Sequence, residues 1–192
     1  WQILWWLFPW VPTRGGLERN QLPLISRWKI LDNLRRSLVA PSLVALFIAG
    51  WAFLPGRPFV WTMAALATMS FAAIARALSV VAGPRKGLGL NVFLRAYTED
   101  LGTDLARVAI HLTFLAHQAW DMLDAVGVTL ARLITGQGRF LQWETAAAVA
   151  ARAKRLGIRE FYRAMRASPI IAGIAVVTIL IARPEGLGAG LP

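Results

Sequence analysis

His117 and Asp121 stand four residues apart, the spacing at which two side chains meet on one helix face. An imidazole and a carboxylate so placed can share a metal ion, or act as a base and the group that orients it. A second pair of ligands is missing, and His111 lies six residues back on another face. A polar stripe that faces headgroup water, or an arginine such as Arg132, accounts for the pair without any chemistry. Asp121 and Asp124 imitate a paired-carboxylate site, yet three apart on one helix they more simply solvate its wet side. Glu99, Asp100 and Asp104 are expected near a helix start, where acidic residues complement the macrodipole. The glycines of GPRKGLGLN (83 to 91) do not follow a strand, so neither a phosphate loop nor a dinucleotide fingerprint is supported. With no cysteine, disulfides, thiolate zinc sites and a cysteine nucleophile are excluded. No catalytic residue, metal site or cofactor is therefore assigned to this chain.

The remaining chemistry-bearing cluster is aromatic. WQILWWLFPWVP sets Trp1, Trp5, Trp6 and Trp10 beside Phe8. Indole at this density suits either the headgroup depth of a membrane or the apolar face of a pyranose ring. Composition alone favours the membrane: 57% of the 192 residues are apolar and only 16% are charged, against roughly 25% in soluble domains. Lysine and arginine number 21 against 10 acidic residues, a net charge of +11. Because the basic clusters flank uncharged apolar runs, the expected polyanion is a leaflet of anionic lipid and not nucleic acid.

The positioning elements follow from those runs. From Ser37 to Gly56 no residue is charged, enough helix to cross a hydrocarbon core of roughly 30 Å. After a turn at Arg57 and Pro58, a second apolar run extends past Arg76 to Gly83, which predicts a transmembrane helical hairpin over 37–83. Arg14, Arg19, Arg27, Lys29, Arg35 and Arg36 precede it, and Arg76, Arg85, Lys86 and Arg95 follow the second apolar run. The positive-inside rule thus puts both ends of the hairpin in the cytoplasm and the Arg57 turn outside. The stretch 108–120 is too short to span, and arginines lie on both sides of it. It reads as part of a long amphipathic helix on the cytoplasmic face, about Asp100 to Ile134, broken by GQG at 136–138. Residues 142–166 favour helix through their alanines, and 167–182 form a third span with Pro169 in its first turn. Little favours strands. In LISRWKILDNLRRSL, Leu24, Trp28, Leu31, Leu34 and Leu38 share one broad side on which Arg27 and Arg35 intrude, a loosely amphipathic pattern that reads as an interfacial helix over 24–36. Arg27, Trp28, Lys29, Arg35 and Arg36 are its membrane-interface residues.

The expected fold is an all-α membrane protein. Its parts are a Trp-rich interfacial segment (1–36), the hairpin (37–83), a cytoplasmic helical region (84–166), and a last span with a short tail (167–192). The opening Trp1, with no basic region ahead of an apolar core, does not resemble a signal peptide, and a fragment of a longer chain is expected.

The block WQILWWLFPWVPTRGGLERNQLPLISRWKILDNLRRSLVAPSLV, with HQAWDMLDAVGVTLARL and RFLQWETAA after it, resembles the membrane segment of bacterial cyclic β-1,2-glucan synthases. The likeness covers most of the chain and is strongest over 1–44 and 117–147. It implies a multi-pass protein of the bacterial inner membrane whose cytoplasmic glycosyltransferase domain draws on UDP-glucose and a divalent metal. A phosphorylase-like domain that sets chain length lies further along. Neither catalytic domain falls in this sequence. The family transferase ends in a pattern like RWxRGDWQ, whose last two letters match Trp1 and Gln2, so the acceptor-holding Arg-Trp pair belongs upstream. Under the resemblance Trp1, Gln2, Trp5, Trp6 and Trp10 lie where a β-1,2-glucan leaves the catalytic cleft. Helices 24–36 and 100–134 brace the transferase domain against the bilayer. Two other readings stand beside it: an independent membrane scaffold that binds anionic lipid or a partner through basic helices, and a membrane enzyme using His117 and Asp121.

Overall fold

The computed structural model describes residues 1–13, 15–80, 89–136, 147, 150, 151 and 157–184. Helix dominates it: α1 Leu24–Ser37, α2 Val39–Ala52, α3 Pro58–Met69, α4 Phe71–Ser79, α5 Leu90–Thr113, α6 Leu115–Thr135, α7 Ile158–Ala164 and α8 Ala167–Ala182. The expected end of the hairpin at 81–83, most of the break expected at 136–138, much of the helix over 142–166, and the tail beyond 184 lie outside the described residues. The chain divides into two units, one of Trp1–Ser42 with His117–Ile170 and one of Leu43–Ala116 with Ile171–Pro192.

In the first unit a 3₁₀ turn, Leu4–Leu7, leads into two antiparallel strands, β1 Trp10–Thr13 and β2 Gly16–Arg19. Their register pairs Trp10 with Arg19 and Thr13 with Gly16. This corrects the expectation of an all-α chain in which little favours strands. Gly16 takes φ +117°, a turn conformation open to glycine and strained for other residues. The Thr13 hydroxyl closes the turn, donating to the Gly16 carbonyl at 3.0 Å or to Glu18 Oε1 at 2.8 Å and accepting from the Gly15 N–H at 3.2 Å. Pro12 is tolerated because both strands of a two-stranded sheet are edges. Val11 and Leu34 are buried, each contributing about 1.5–3 kcal/mol of transfer free energy.

Helix α1 starts at Leu24 as expected and runs one residue past the expected end, through Ser37, and Leu38 separates it from α2. Pro41 supplies the reason: it has no N–H for the carbonyl of Ser37, and its ring crowds that carbonyl. The Ser37 hydroxyl donates to the Leu34 carbonyl at 2.6 Å, which further loosens the last turn.

In the second unit α2 and α3 meet beside their connecting turn. Gly50 is buried so closely against Trp61 that an added Cβ would collide with the tryptophan Cβ and lie 2.9 Å from its Cγ. Close backbone approach of this kind is what small residues give packed apolar helices. The indoles of Trp51 and Trp61 donate to Thr62 Oγ1 and to the Pro55 carbonyl, both at 2.9 Å. Arg183, just past α8, donates to the Leu54 carbonyl at 3.2 Å, tying the end of α8 to the same turn.

The second apolar run is not one straight rod. It breaks at Ser70, where α3 and α4 meet at 73°. Thr68 Oγ1 donates to the Ala64 carbonyl at 2.9 Å, a back-bond that bends helices. The long helix expected from Asp100 begins instead at Leu90 and breaks at Phe114, after Thr113 makes the same bond to Ala109. Glu99, Asp100 and Asp104 are thus mid-helix and not at its start. The guanidinium of Arg76 reaches Asp104 Oδ2 and Asp100 Oδ2, each at 2.8 Å, and so joins α4 to α5.

By length and composition Ile158–Ala182 is able to cross a membrane. Two bent pairs, Leu24–Ser37 with Val39–Ala52 and Pro58–Met69 with Phe71–Leu78, also qualify if each is taken as one span. The described residues therefore hold one to three candidate spans.

Candidate functional site

The N-terminal cluster is assembled around Asn20, a buried polar residue that sequence reasoning missed. Its side-chain amide donates to the carbonyls of Trp6 at 2.7 Å and Phe8 at 2.9 Å, and its Oδ1 accepts the Leu22 N–H at 2.9 Å. Its backbone N–H bonds the Pro9 carbonyl at 2.8 Å, and its own carbonyl accepts Arg27 Nη2 at 3.1 Å. One residue, through its side chain and its backbone, thus ties together the 3₁₀ turn, the end of β2 and the start of α1, since buried polar groups must all find partners. No sequence signal announces this role, because an asparagine after a short strand reads as a loop residue.

The structure separates the expected sugar-stacking residues into two kinds. Trp1 is half-buried and donates its indole N–H to Ser37 Oγ at 2.7 Å, so it braces α1. Gln2 is half-buried beside it in sequence. Trp5, Trp6 and Trp10 are exposed at 39%, 39% and 58%, and the Trp5 ring lies 6.0 Å from Phe8 at a 50° tilt. These exposed faces are the ones available to a planar apolar partner.

The interface residues of α1 also differ from one another. Arg35 and Arg36 clamp Asp32, with Nη2 to carboxylate distances of 2.8 and 2.7 Å. Those two hydrogen bonds, helped by charge, hold the Asp32 carboxyl below the usual carboxylate range. Trp28 and Lys29 are exposed. Arg27 is folded back on Asn20, and its Nε is buried without a hydrogen-bond partner. Between the 3₁₀ turn and α1 runs an open groove of about 730 Å³, lined by Leu7, Phe8, Leu24, Ile25, Arg27, Trp28 and Leu31.

His117 and Asp121 are brought together, with Nε2 3.4 Å from Oδ2, while His117 Nδ1 is buried without a hydrogen-bond partner. Among the described residues no three His, Asp or Glu side chains form a set able to hold a metal ion.

No family model matches the chain, and no solved structure matches it. Over 193 aligned residues, which take in the whole chain, it is 28% identical to the cyclic β-(1,2)-glucan synthase NdvB of Rhizobium meliloti (strain 1021). The chain spans 6% of the length of that relative. From end to end it thus resembles one short segment of a cyclic glucan synthase.

Proposed function

We propose that this chain is a membrane-anchoring segment of a UDP-glucose-dependent cyclic β-1,2-glucan synthase of the bacterial inner membrane, and that its N-terminal aromatics line the path by which the glucan leaves. The observation that carries the proposal is the likeness to NdvB along the full chain. Apolar exposure supports the anchoring part: α8 presents Ile170, Ile174, Val177 and Ile181 to its surroundings, all more than half exposed. A water-facing helix would carry polar residues there. The exposed Trp5, Trp6 and Trp10 support the exit part, since an indole face stacks on a glucosyl ring while the polymer slides past. Glycosyl transfer, its nucleotide sugar and its metal belong in this reading to the cytoplasmic catalytic domain of the parent enzyme. The present segment supplies anchorage and guidance.

The test is titration of the detergent-purified chain with linear β-1,2-gluco-oligosaccharides, followed by indole N–H resonances. Those of Trp5, Trp6 and Trp10 are expected to shift while that of Trp1 stays put, and replacing the three by alanine should abolish binding. Unshifted indoles at millimolar sugar would contradict the exit role.

A further inference from the structure

The groove between the 3₁₀ turn and α1 combines three features. Apart from Arg27 its lining side chains are all apolar. Its volume of about 730 Å³ falls within the roughly 300–1,000 Å³ of small-molecule sites. Arg27 keeps a buried Nε without a partner, although Nη2 is already bound to Asn20. A glucosyl unit or a peptide seated there would leave hydroxyls or backbone amides facing hydrocarbon, at a cost of a few kcal/mol each. An alkyl chain has no such groups. Charge then decides the headgroup: Arg27, Lys29, Arg35 and Arg36 stand on α1 against the single carboxylate of Asp32. Arg27, Leu31 and Arg35 follow at intervals of four along one face, which places a cation on either side of the apolar contact.

We infer that this groove seats one acyl chain of an anionic phospholipid, whose phosphate is held by Arg27 with help from its cationic neighbours on α1. The inference rests on the membrane-anchor reading and adds to it a discrete lipid site. Arg27 then has a second function beyond bracing Asn20, because its remaining guanidinium N–H groups match a phosphate. Trp28 and Phe8 flank the chain as apolar walls.

The 192-residue chain in detergent is to be titrated with phosphatidylglycerol and with phosphatidylcholine of identical acyl chains, and bound lipid counted by native mass spectrometry. Retention of one phosphatidylglycerol, about tenfold tighter than phosphatidylcholine, is expected from a charge-assisted contact. Arg27→Gln should erase the preference, Arg27→Lys should keep most of it, and Leu31→Trp should fill the groove and reduce both lipids. Lipids brominated on the acyl chain give a readout that needs no groove-filling variant. Their quenching of wild type minus Trp28→Phe should be strong with phosphatidylglycerol and weak with phosphatidylcholine. Equal retention of the two lipids overturns the proposal, as does equal quenching. A chain that floats with phosphatidylglycerol vesicles yet retains no lipid in detergent overturns the groove and leaves the anchor standing. A chain that floats with no vesicle overturns both.

Discussion

Asn20 and Asp32 show how much single residues settle in a chain with few polar side chains. Asn20 was not legible in the sequence, since its importance lies in five partners spread from Trp6 to Arg27. Asn20→Ala is expected to cost about 1–3 kcal/mol, because the Trp6 and Phe8 carbonyls and the Leu22 N–H would lose their partner. Asn20→Asp should cost more, as it turns a carboxylate oxygen on those two carbonyls. Denaturant titration followed by tryptophan fluorescence checks both, with the exposed Asn33→Asp as a control that should change little. Asp32 is the one acid in LISRWKILDNLRRS, passed over at the level of sequence in favour of the cations around it. Its folded pKa is depressed, chiefly by hydrogen bonds from Arg35 and Arg36. The stabilisation it contributes is therefore present above the ordinary carboxylate range and lost as pH falls through the depressed value. Carboxyl carbon NMR should find the Asp32 midpoint low, and Arg35→Ala with Arg36→Ala should return it to the ordinary range.

At the level of elements, charge and hydropathy marked α1 and α8 well. A run of cations and a run without charge are both local facts. The β1–β2 hairpin escaped notice because four-residue strands, one holding Pro12, give too little alternation to read, although Gly15–Gly16 was the available sign. The start of α5 was misplaced for a different reason. Asp100 and Asp104 looked like helix-start acids, whereas they serve as partners for Arg76, 24 and 28 residues earlier in the chain, and such pairings leave no local trace. Asp104 is 6% exposed and also accepts Arg107 Nη1 at 3.4 Å. Burial makes it the dominant partner: Asp104→Asn or Arg76→Gln should destabilise by about 1–3 kcal/mol. Asp100→Asn, at a carboxylate left 59% exposed, should cost under about 1 kcal/mol. A double-mutant cycle on thermal stability in detergent separates the two, and equal losses at Asp100 and Asp104 would refute this ranking.

For the whole molecule, composition carried the reading furthest. The expectation of a membrane protein rests on scarce charge and basic margins, and one to three candidate spans agree with it. What composition could not resolve was where each apolar run bends: the break at Leu38 follows from Pro41, whereas Ser70 and Phe114 carry no hydropathy signal, and the threonine back-bonds beside them recur at Thr103, Thr129 and Thr178 inside unbroken helices. The bond from Arg183 to the Leu54 carbonyl adds a constraint that hydropathy lacks: the end of α8 is held beside the turn that precedes Arg57. If that turn faces outward, as the positive-inside rule expects, α8 runs from inside to outside, the direction the same rule expects from the arginine-rich stretch before it. Because the chain has no cysteine, single cysteines can be introduced at 57, 91, 125 and 150 and probed in intact cells with a membrane-impermeant maleimide. Labelling at 57 from outside, with 91, 125 and 150 reached only after the membrane is opened, is the expected result. External labelling at 125 or 150, or a chain that stays monomeric in water without lipid or detergent, would contradict the membrane-anchor assignment.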